Sequence, residues 1–595
     1  MSTATMRDAG PALVVGVWRG RYLRFAGQQF VLLAAPARSG KGVGIVIPNL
    51  LSYPDSAVVL DIKQENFNVT AGFRRAHGHA VYLFNPFAED GRTHRYNPLS
   101  AIPDGVFRVG DILATGYALY PVGGHDDFWK DQARNLFLGI VLLLCEWRDA
   151  RRASRMDVPD YPVTMGEVLR QSSGNGMPVK VYLQRALLQH RNLLTGTCVD
   201  ALNRFLANDD KVLASILATF NAPLTIWANP VVDAATSAND FDVRDVRKRR
   251  MTVYIGITPD RLTEAALLVN LVFSQLVNLN TKELPQDNPA LKFQCLLLMD
   301  EFTAIGKIQI IARAVAYMAG YNLRLLSIVQ SVSQFESVYG RADARTFVTN
   351  HAMQILYAPR EQRDANEYSE MLGTFTDRSR SVSRSSGVFG GRGGSSESLS
   401  EQRRPLLLPQ ELKELGREKE IILLENTKPI LAERIFYWRD PVFTSRLVAA
   451  PNVPAMDLAR FTAQVERRVR ELRPHEVDPE TTSLMNISPD YLEVLQAWDP
   501  RELPKHLADI GSEEAAAYVE RHFMLLGVPA ERIALATRRL SLSDLDAAEL
   551  NPPEAQAKPQ RKTATAGSRA GRSPSGRRTN AVERSNSVPL HGDRQ

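Results

Sequence analysis

A chain of 595 residues is too long for a single apolar core and implies two or three domains. Apolar residues at 44% and charged residues at 23% are the proportions of a globular protein and exclude a fibrous or fully disordered chain. The net charge of +6 is concentrated at one end: residues 551–595 hold nine Lys or Arg against three Asp or Glu, so the remainder is neutral overall.

Residues 12–34 read as a hairpin, Val14 to Trp18 and then Tyr22 to Phe25, feeding an apolar strand, Phe30 to Ala34. The run Ala35, Pro36, Ala37, Arg38, Ser39, Gly40, Lys41, Gly42 and Val43 follows, and an apolar helical pattern begins at its end and stops near Pro54. Strand, glycine-containing loop, lysine and helix form a phosphate cradle. Backbone N–H groups and the helix N-terminus face the phosphates, and Lys41 reaches the terminal ones. The run departs twice from G-x-x-x-x-G-K-[ST]. Ala35 replaces the first glycine, and Gly42 replaces the hydroxyl residue that helps hold Mg²⁺. A plain strand-to-helix turn that merely needs glycine is the competing reading.

The next strand, Ala57 to Asp61, also ends in a carboxylate, but no Glu follows it. Asp61, Lys63 and Glu65 therefore read as a supporting polar cluster. A helix from about Asn66 to Arg75 and a strand over Val81 to Phe84 continue a βαβ alternation. This is the pattern of an α/β fold with a parallel sheet covered on both faces.

From residue 96 to 240 the apolar spacing turns helical, with a long helix over Trp129 to Trp147. This is an expected all-helical insertion inside a discontinuous nucleotide-binding domain, 1–95 and 241–450. The sheet resumes at Thr252 to Ile257. After a helix, Cys295 to Met299 reads as a buried strand that delivers Asp300 and Glu301 to the sheet edge. An acidic pair in that position suits metal binding by Asp300, through a water, and polarisation of an attacking water by Glu301. A solvated loop start is the ordinary alternative. Leu323 to Val329 is a further strand that ends at Gln330, where a polar side chain can sense the terminal phosphate.

Residues 379–404 are rich in Ser, Gly and Arg and read as a mobile loop. Residues 455–550 are helical and amphipathic, a C-terminal helical module. Residues 551–595 lack large apolar side chains and read as a disordered basic tail able to hold acidic partners. Cys145, Cys198 and Cys295 lack metal-ligand spacing and read as buried free thiols in a reducing compartment. The best apolar run, Leu136 to Leu144, is interrupted by Gly139, so no membrane-crossing segment is expected, and no signal peptide.

Several blocks resemble the TraG/VirD4 coupling proteins of type IV secretion and conjugation. They are Ala35–Gly44 with Ile47-Pro48, Val58–Asn66, Phe128–Arg134, Leu298–Phe302, Gln330–Gln334, Leu407–Leu412 and Tyr437–Pro441. The resemblance runs in order through about residues 12–445, and glycine after the loop lysine is usual in its TraG branch. It implies a RecA-like P-loop NTPase domain with an inserted all-helical domain, assembled as a ring hexamer and using ATP and Mg²⁺. It also implies partners: single-stranded DNA, relaxase or relaxosome proteins, and secretion-channel components. Protein effectors as cargo, or a nucleotide-gated adaptor with little hydrolysis, are the alternatives. Ring ATPases of this class complete the site with a neighbour's arginine. Arg360 is the candidate and Arg324 the second choice. Family members usually begin with transmembrane helices. Their absence ahead of the P-loop here leads to the expectation of a cytoplasmic protein at the inner face of the bacterial inner membrane, with indirect membrane contact.

Overall fold

A computed structural model describes residues 10–123, 126–153, 161–384 and 395–472. All lie within one compact unit, Met1–Glu476. A second unit, Val477–Gln595, lies outside the described residues. So do the expected tail 551–595 and all of the expected helical module except the Leu458–Leu472 helix and the segment leading into it.

Eleven strands form one sheet. In chain order they are β1 (Ala12–Trp18), β2 (Arg21–Ala26), β3 (Val31–Ala34), β4 (Ser56–Asp61), β5 (Ala80–Phe84), β6 (Met251–Gly256), β7 (Cys295–Met299), β8 (Leu323–Val329) and β9 (Met353–Leu356), then β12 (Lys419–Leu424) and β13 (Ile430–Glu433). The spatial order is β2-β1-β13-β12-β9-β3-β8-β7-β4-β6-β5. From β5 to β9 every pairing is parallel. From β9 through β12, β13, β1 and β2 every pairing is antiparallel. The expected parallel sheet is therefore joined to an antiparallel flank, which pairing across more than 400 residues of chain creates at Val17↔Glu433.

Successive side chains of the central strands go to opposite faces, as strand geometry requires. Leu32, Val58, Leu60, Leu297 and Met299 enter one apolar cluster. Val31, Leu33, Val59, Leu296 and Leu298 enter the other. Between β5 and β6 the described chain is helical. Its longest helix, Asp127–Ala153, buries Leu136, Phe137, Ile140 and Leu143 in the first cluster. The helical segment and one face of the sheet thus share one apolar interior. All three cysteines are buried free thiols.

Two expectations are corrected here. A mobile loop is expected over 379–404, but β10 (Thr374–Arg384) pairs with β11 (Ser395–Pro405) as an antiparallel ribbon, with residues 385–394 outside the described set. Among the described residues the ribbon joins no third strand. Backbone pairing needs no core, and cross-strand contacts such as Arg378 to Glu401 (3.0 Å) and Arg403 to Thr374 (2.8 Å) add to it.

The second correction concerns membrane-crossing length. Two helical stretches among the described residues are long and apolar enough, Asp210–Ala228 (mean hydropathy 1.2) and Pro259–Asn280 (1.5). The expectation of none, and the cytoplasmic placement built on it, does not stand. Both stretches interleave Ser, Thr or Asn with apolar residues, so a search for unbroken apolar runs overlooks them. Each buries part of its surface in the first cluster, through Phe220 and Leu224 in one and Leu271 and Phe273 in the other. Length and composition alone do not separate a core helix from a membrane span.

Candidate nucleotide site

The parallel order β3-β8-β7-β4 brings four chain segments to one sheet edge, each leaving its strand at the C-terminal end. They carry Lys41, Gln330, the Asp300–Glu301 pair and Asp61. The crevice outside such strand ends is where α/β sheets bind ligands.

The loop after β3 begins by extending the sheet, with the Ala35 N–H donating to the Val329 carbonyl (2.9 Å). Ser39 N–H closes a turn onto the Pro36 carbonyl (3.1 Å). Arg38 and Gly40 take left-handed backbone angles (φ 59° and 85°), which curls the loop back on itself. The following helix opens as a wide turn over Gly42–Val46 before Ile47–Leu50. Of the predicted cradle residues, Ala35 and Lys41 are buried. Pro36, Ala37, Ser39, Gly40, Gly42 and Val43 are half-buried, and Arg38 is exposed.

Lys41 is brought to the acidic pair. Its Nζ lies 3.2 Å from Glu301 Oε1, an ion pair whose geometry makes no hydrogen bond. Glu301 holds a left-handed backbone angle (φ 54°), an uncommon state for a residue with a side chain. Beyond it, Phe302 N–H donates to the Ile328 carbonyl (3.1 Å), which ties the pair to β8. Asp300 Oδ2 accepts from the Asn66 amide (3.4 Å), while Oδ1 is buried without a hydrogen-bond partner. Burial raises the Asp300 pKa above the usual carboxylate value, and the nearby Lys41 charge opposes that.

Asp61 lies on the same edge but is spent locally. Its carboxylate accepts the N–H groups of Phe67 (2.7 Å) and Asn66 (3.3 Å) at the start of the Glu65–Ala76 helix. Burial pushes its pKa up to about 7 against those two hydrogen bonds. Lys63 and Glu65 are exposed. Gln330 is half-buried directly after β8, between the phosphate loop and the acidic pair. Arg360 is exposed four residues past Leu356, the β9 residue in register with Ala34. Arg324 is excluded from reaching a neighbouring subunit. It is fully buried in β8, and its guanidinium donates to the carbonyls of Gln29 and Phe25 (both 3.0 Å).

Three residues missed by sequence reasoning line this region: Tyr357, Glu420 and Arg434. Arg434 donates to the Ser39 carbonyl of the loop (2.5 Å). No motif marks these residues; only the β9-β12-β13 pairing brings them beneath the loop.

The residues fit a nucleotide with its magnesium ion. A left-handed loop at a helix start offers N–H donors to phosphate, and Asp300 Oδ1 is a buried oxygen that lacks a donor. Among the described residues no group of three His, Cys, Asp or Glu could hold a metal alone. Mg²⁺ bound by one or two carboxylates plus phosphate oxygens needs none. A cavity of about 710 Å³ elsewhere is lined by Arg95, Arg170 and Arg468 but by none of these groups. Arg170 there pairs with Glu167 and Asp233.

Residues 2–456 match the family model for type IV secretory system conjugative DNA transfer. The chain belongs to that family. It is 31% identical over 457 residues to the protein VirD4 of Rhizobium rhizogenes, covering 75% of this chain and 65% of that one. It is 32% identical over 451 residues to VirD4 of Agrobacterium fabrum, covering 74% and 64%. The chain thus spans just under two thirds of the length of these relatives. The fold is that of the bacterial conjugative coupling protein TrwB. Its unbound form superposes with a TM-score of 0.52 at 16% identity, over 74% of this chain and 92% of that one. Its complex with ADP and Mg²⁺ superposes at 0.50 and 16%, over 74% and 94%. The fold class is therefore α/β, with the expected RecA-like P-loop fold.

Proposed function

We propose that this chain is the ATP-dependent coupling protein of a type IV secretion or conjugation system, which drives single-stranded DNA from a relaxase complex toward the secretion channel. The observation that carries this reading is the convergence of Lys41, Asp300 and Glu301 on one sheet edge in a chain of this family. The Ala35–Val43 loop would take the phosphates of ATP, with Lys41 for the terminal ones, and Asp300 would hold Mg²⁺ through a water. Bound there, the ion neutralises phosphate charge.

The Lys41–Glu301 ion pair gives the site a resting state. A terminal phosphate offers Lys41 more negative charge than one carboxylate does, so nucleotide competes for the lysine. Glu301 is then free to take a proton from an attacking water. Gln330 leaves β8 between the strands that carry the loop and the acid, where a polar side chain can sense the exchange. An adaptor that only binds nucleotide has no need of the second carboxylate.

Steady-state ATP hydrolysis measured with and without single-stranded DNA tests the function. Turnover that rises with DNA is expected. No turnover at saturating ATP and Mg²⁺ would replace the motor with an adaptor. DNA-independent turnover that responds to a secreted protein would favour protein cargo.

The ring assembly with a shared site is part of the same proposal. Arg360 is exposed on the edge that carries the phosphate loop, where a neighbouring subunit's site could receive it. Arg360→Ala protein is expected to be inactive but to regain part of its turnover when mixed with inactive Lys41→Ala protein. In mixed rings some sites combine an intact loop with an intact arginine. If mixed rings form but every mixture stays inactive, Arg360 is not the shared residue.

A further inference from the structure

We infer that Arg434, held against the Tyr357 ring, is the positioning residue that sets the shape of the phosphate loop from beneath. The inference deepens the nucleotide-site reading and rests on it.

Arg434 follows β13 and is buried. It makes three anchoring contacts. One terminal nitrogen donates to the Ser39 carbonyl (2.5 Å) and the other to the Arg417 carbonyl (2.8 Å). The guanidinium carbon lies 3.8 Å from the centre of the Tyr357 ring, a stacked cation–π contact. Tyr357 is itself fixed to the strand that launches the loop, since its N–H donates to the Ala34 carbonyl (3.1 Å). A single guanidinium thus ties the loop to the β9 end and to the chain ahead of β12.

The Ser39 contact has a consequence for ligand binding. The Ser39–Gly40 peptide is planar and trans, so its carbonyl and its N–H point to opposite sides. With the carbonyl drawn toward Arg434, the Gly40 N–H faces away from Arg434, on the other side of the loop. That orients one donor of the cradle. Gly40 fits this arrangement for two reasons. Its φ is +85°, and a Cβ there would lie 2.8 Å from the Arg434 terminal nitrogen. The glycine of the loop is therefore matched to the arginine under it.

Glu420 on β12 is the buried acid of this region. It is fully buried, and neither carboxylate oxygen makes a hydrogen bond of good geometry. A Cβ at Gly16 would lie 2.2 Å from Glu420 Oε1, so the glycine of β1 makes room for the carboxylate. Burial pushes the Glu420 pKa up to about 8, against the opposing pull of the Arg434 charge. With a pKa of about 8 the group is mostly protonated at neutral pH even beside Arg434. Loss of the arginine then leaves no permanent buried charge, which makes the variant testable.

The test uses the full chain, with ATP·Mg²⁺ binding followed by titration calorimetry and hydrolysis by steady-state kinetics. Arg434→Met is expected to weaken ATP binding roughly tenfold or more, the scale of a charge-assisted hydrogen bond to the loop. KM should rise while kcat changes little, because loop shape serves bound substrate and transition state alike. Arg434→Lys keeps charge and stem but loses the planar fork, and should fall between wild type and Arg434→Met. Wild-type ATP affinity in Arg434→Met, with Lys41→Ala unable to bind, overturns the inference and leaves the nucleotide site standing. Wild-type affinity in Lys41→Ala overturns the site itself. If Arg434→Met does not fold, Arg434→Lys decides: unchanged affinity there rejects the positioning role, and a several-fold loss at an unchanged melting temperature supports it.

Discussion

Replacing Lys41 with alanine is expected to abolish ATP turnover and to weaken ATP·Mg²⁺ binding by roughly 10- to 100-fold, the scale of a hydrogen bond to a charged group. Lys41 is the buried cation of the loop, Arg38 being exposed, and its charged end is already held inside the site, 3.2 Å from Glu301. Alanine removes the donor for the terminal phosphates and also leaves Glu301 and the buried Asp300 carboxylate without their neighbouring positive charge. Two carboxylates then face a polyanion, so repulsion adds to the lost attraction. Calorimetric titration of the variant with ATP·Mg²⁺ checks the binding, and phosphate release checks the turnover. Near-wild-type affinity would mean that phosphates are held elsewhere.

Glu301→Gln is the complementary change, with the opposite effect on binding. Turnover should fall about 10²-fold or more, the usual scale for loss of a general base. Binding should persist or tighten, because the amide keeps the side-chain shape while releasing Lys41 from its resting ion pair. The variant is thus expected to accumulate ATP-bound protein. Single-turnover kinetics beside equilibrium binding separates the two effects. Turnover at the wild-type rate would remove Glu301 from the water-activating role. Weaker binding would contradict the competition between carboxylate and phosphate for the lysine. Lys41→Ala thus loses both properties, and Glu301→Gln loses only one. That contrast separates a catalytic carboxylate from one that merely helps to fold the loop.

Much of the site was legible in the sequence because its parts are local. A short strand, a turn needing positive φ, a lysine and an apolar helix are neighbours in the chain, and their chemistry follows from their order. The same holds for Cys295 to Glu301, where a buried strand delivers two acids. Asp61 shows where such reading weakens. Its strand ends like that of Asp300, and only the hydrogen bonds from Asn66 and Phe67 reveal that its carboxylate is occupied. Arg324 shows the same weakness. Its position near a strand start resembles that of an exposed cation, yet it is enclosed and spent on backbone carbonyls.

The sequence by itself determined the α/β class, the phosphate loop, the acidic pair and the helical character of the chain between β5 and β6. Each is written in spacing of a few residues, where period and turn chemistry act directly. Tertiary structure alone decided the antiparallel flank, the pairing of β10 with β11 and the occupation of Asp61. It also placed Arg434, Tyr357 and Glu420 under the loop. Ser39 and Arg434 are 395 residues apart and meet only because β13 pairs with both β12 and β1 in the sheet that also holds β3. Pairings over such distances depend on which faces can be buried together, a property of the whole sheet that no local window contains.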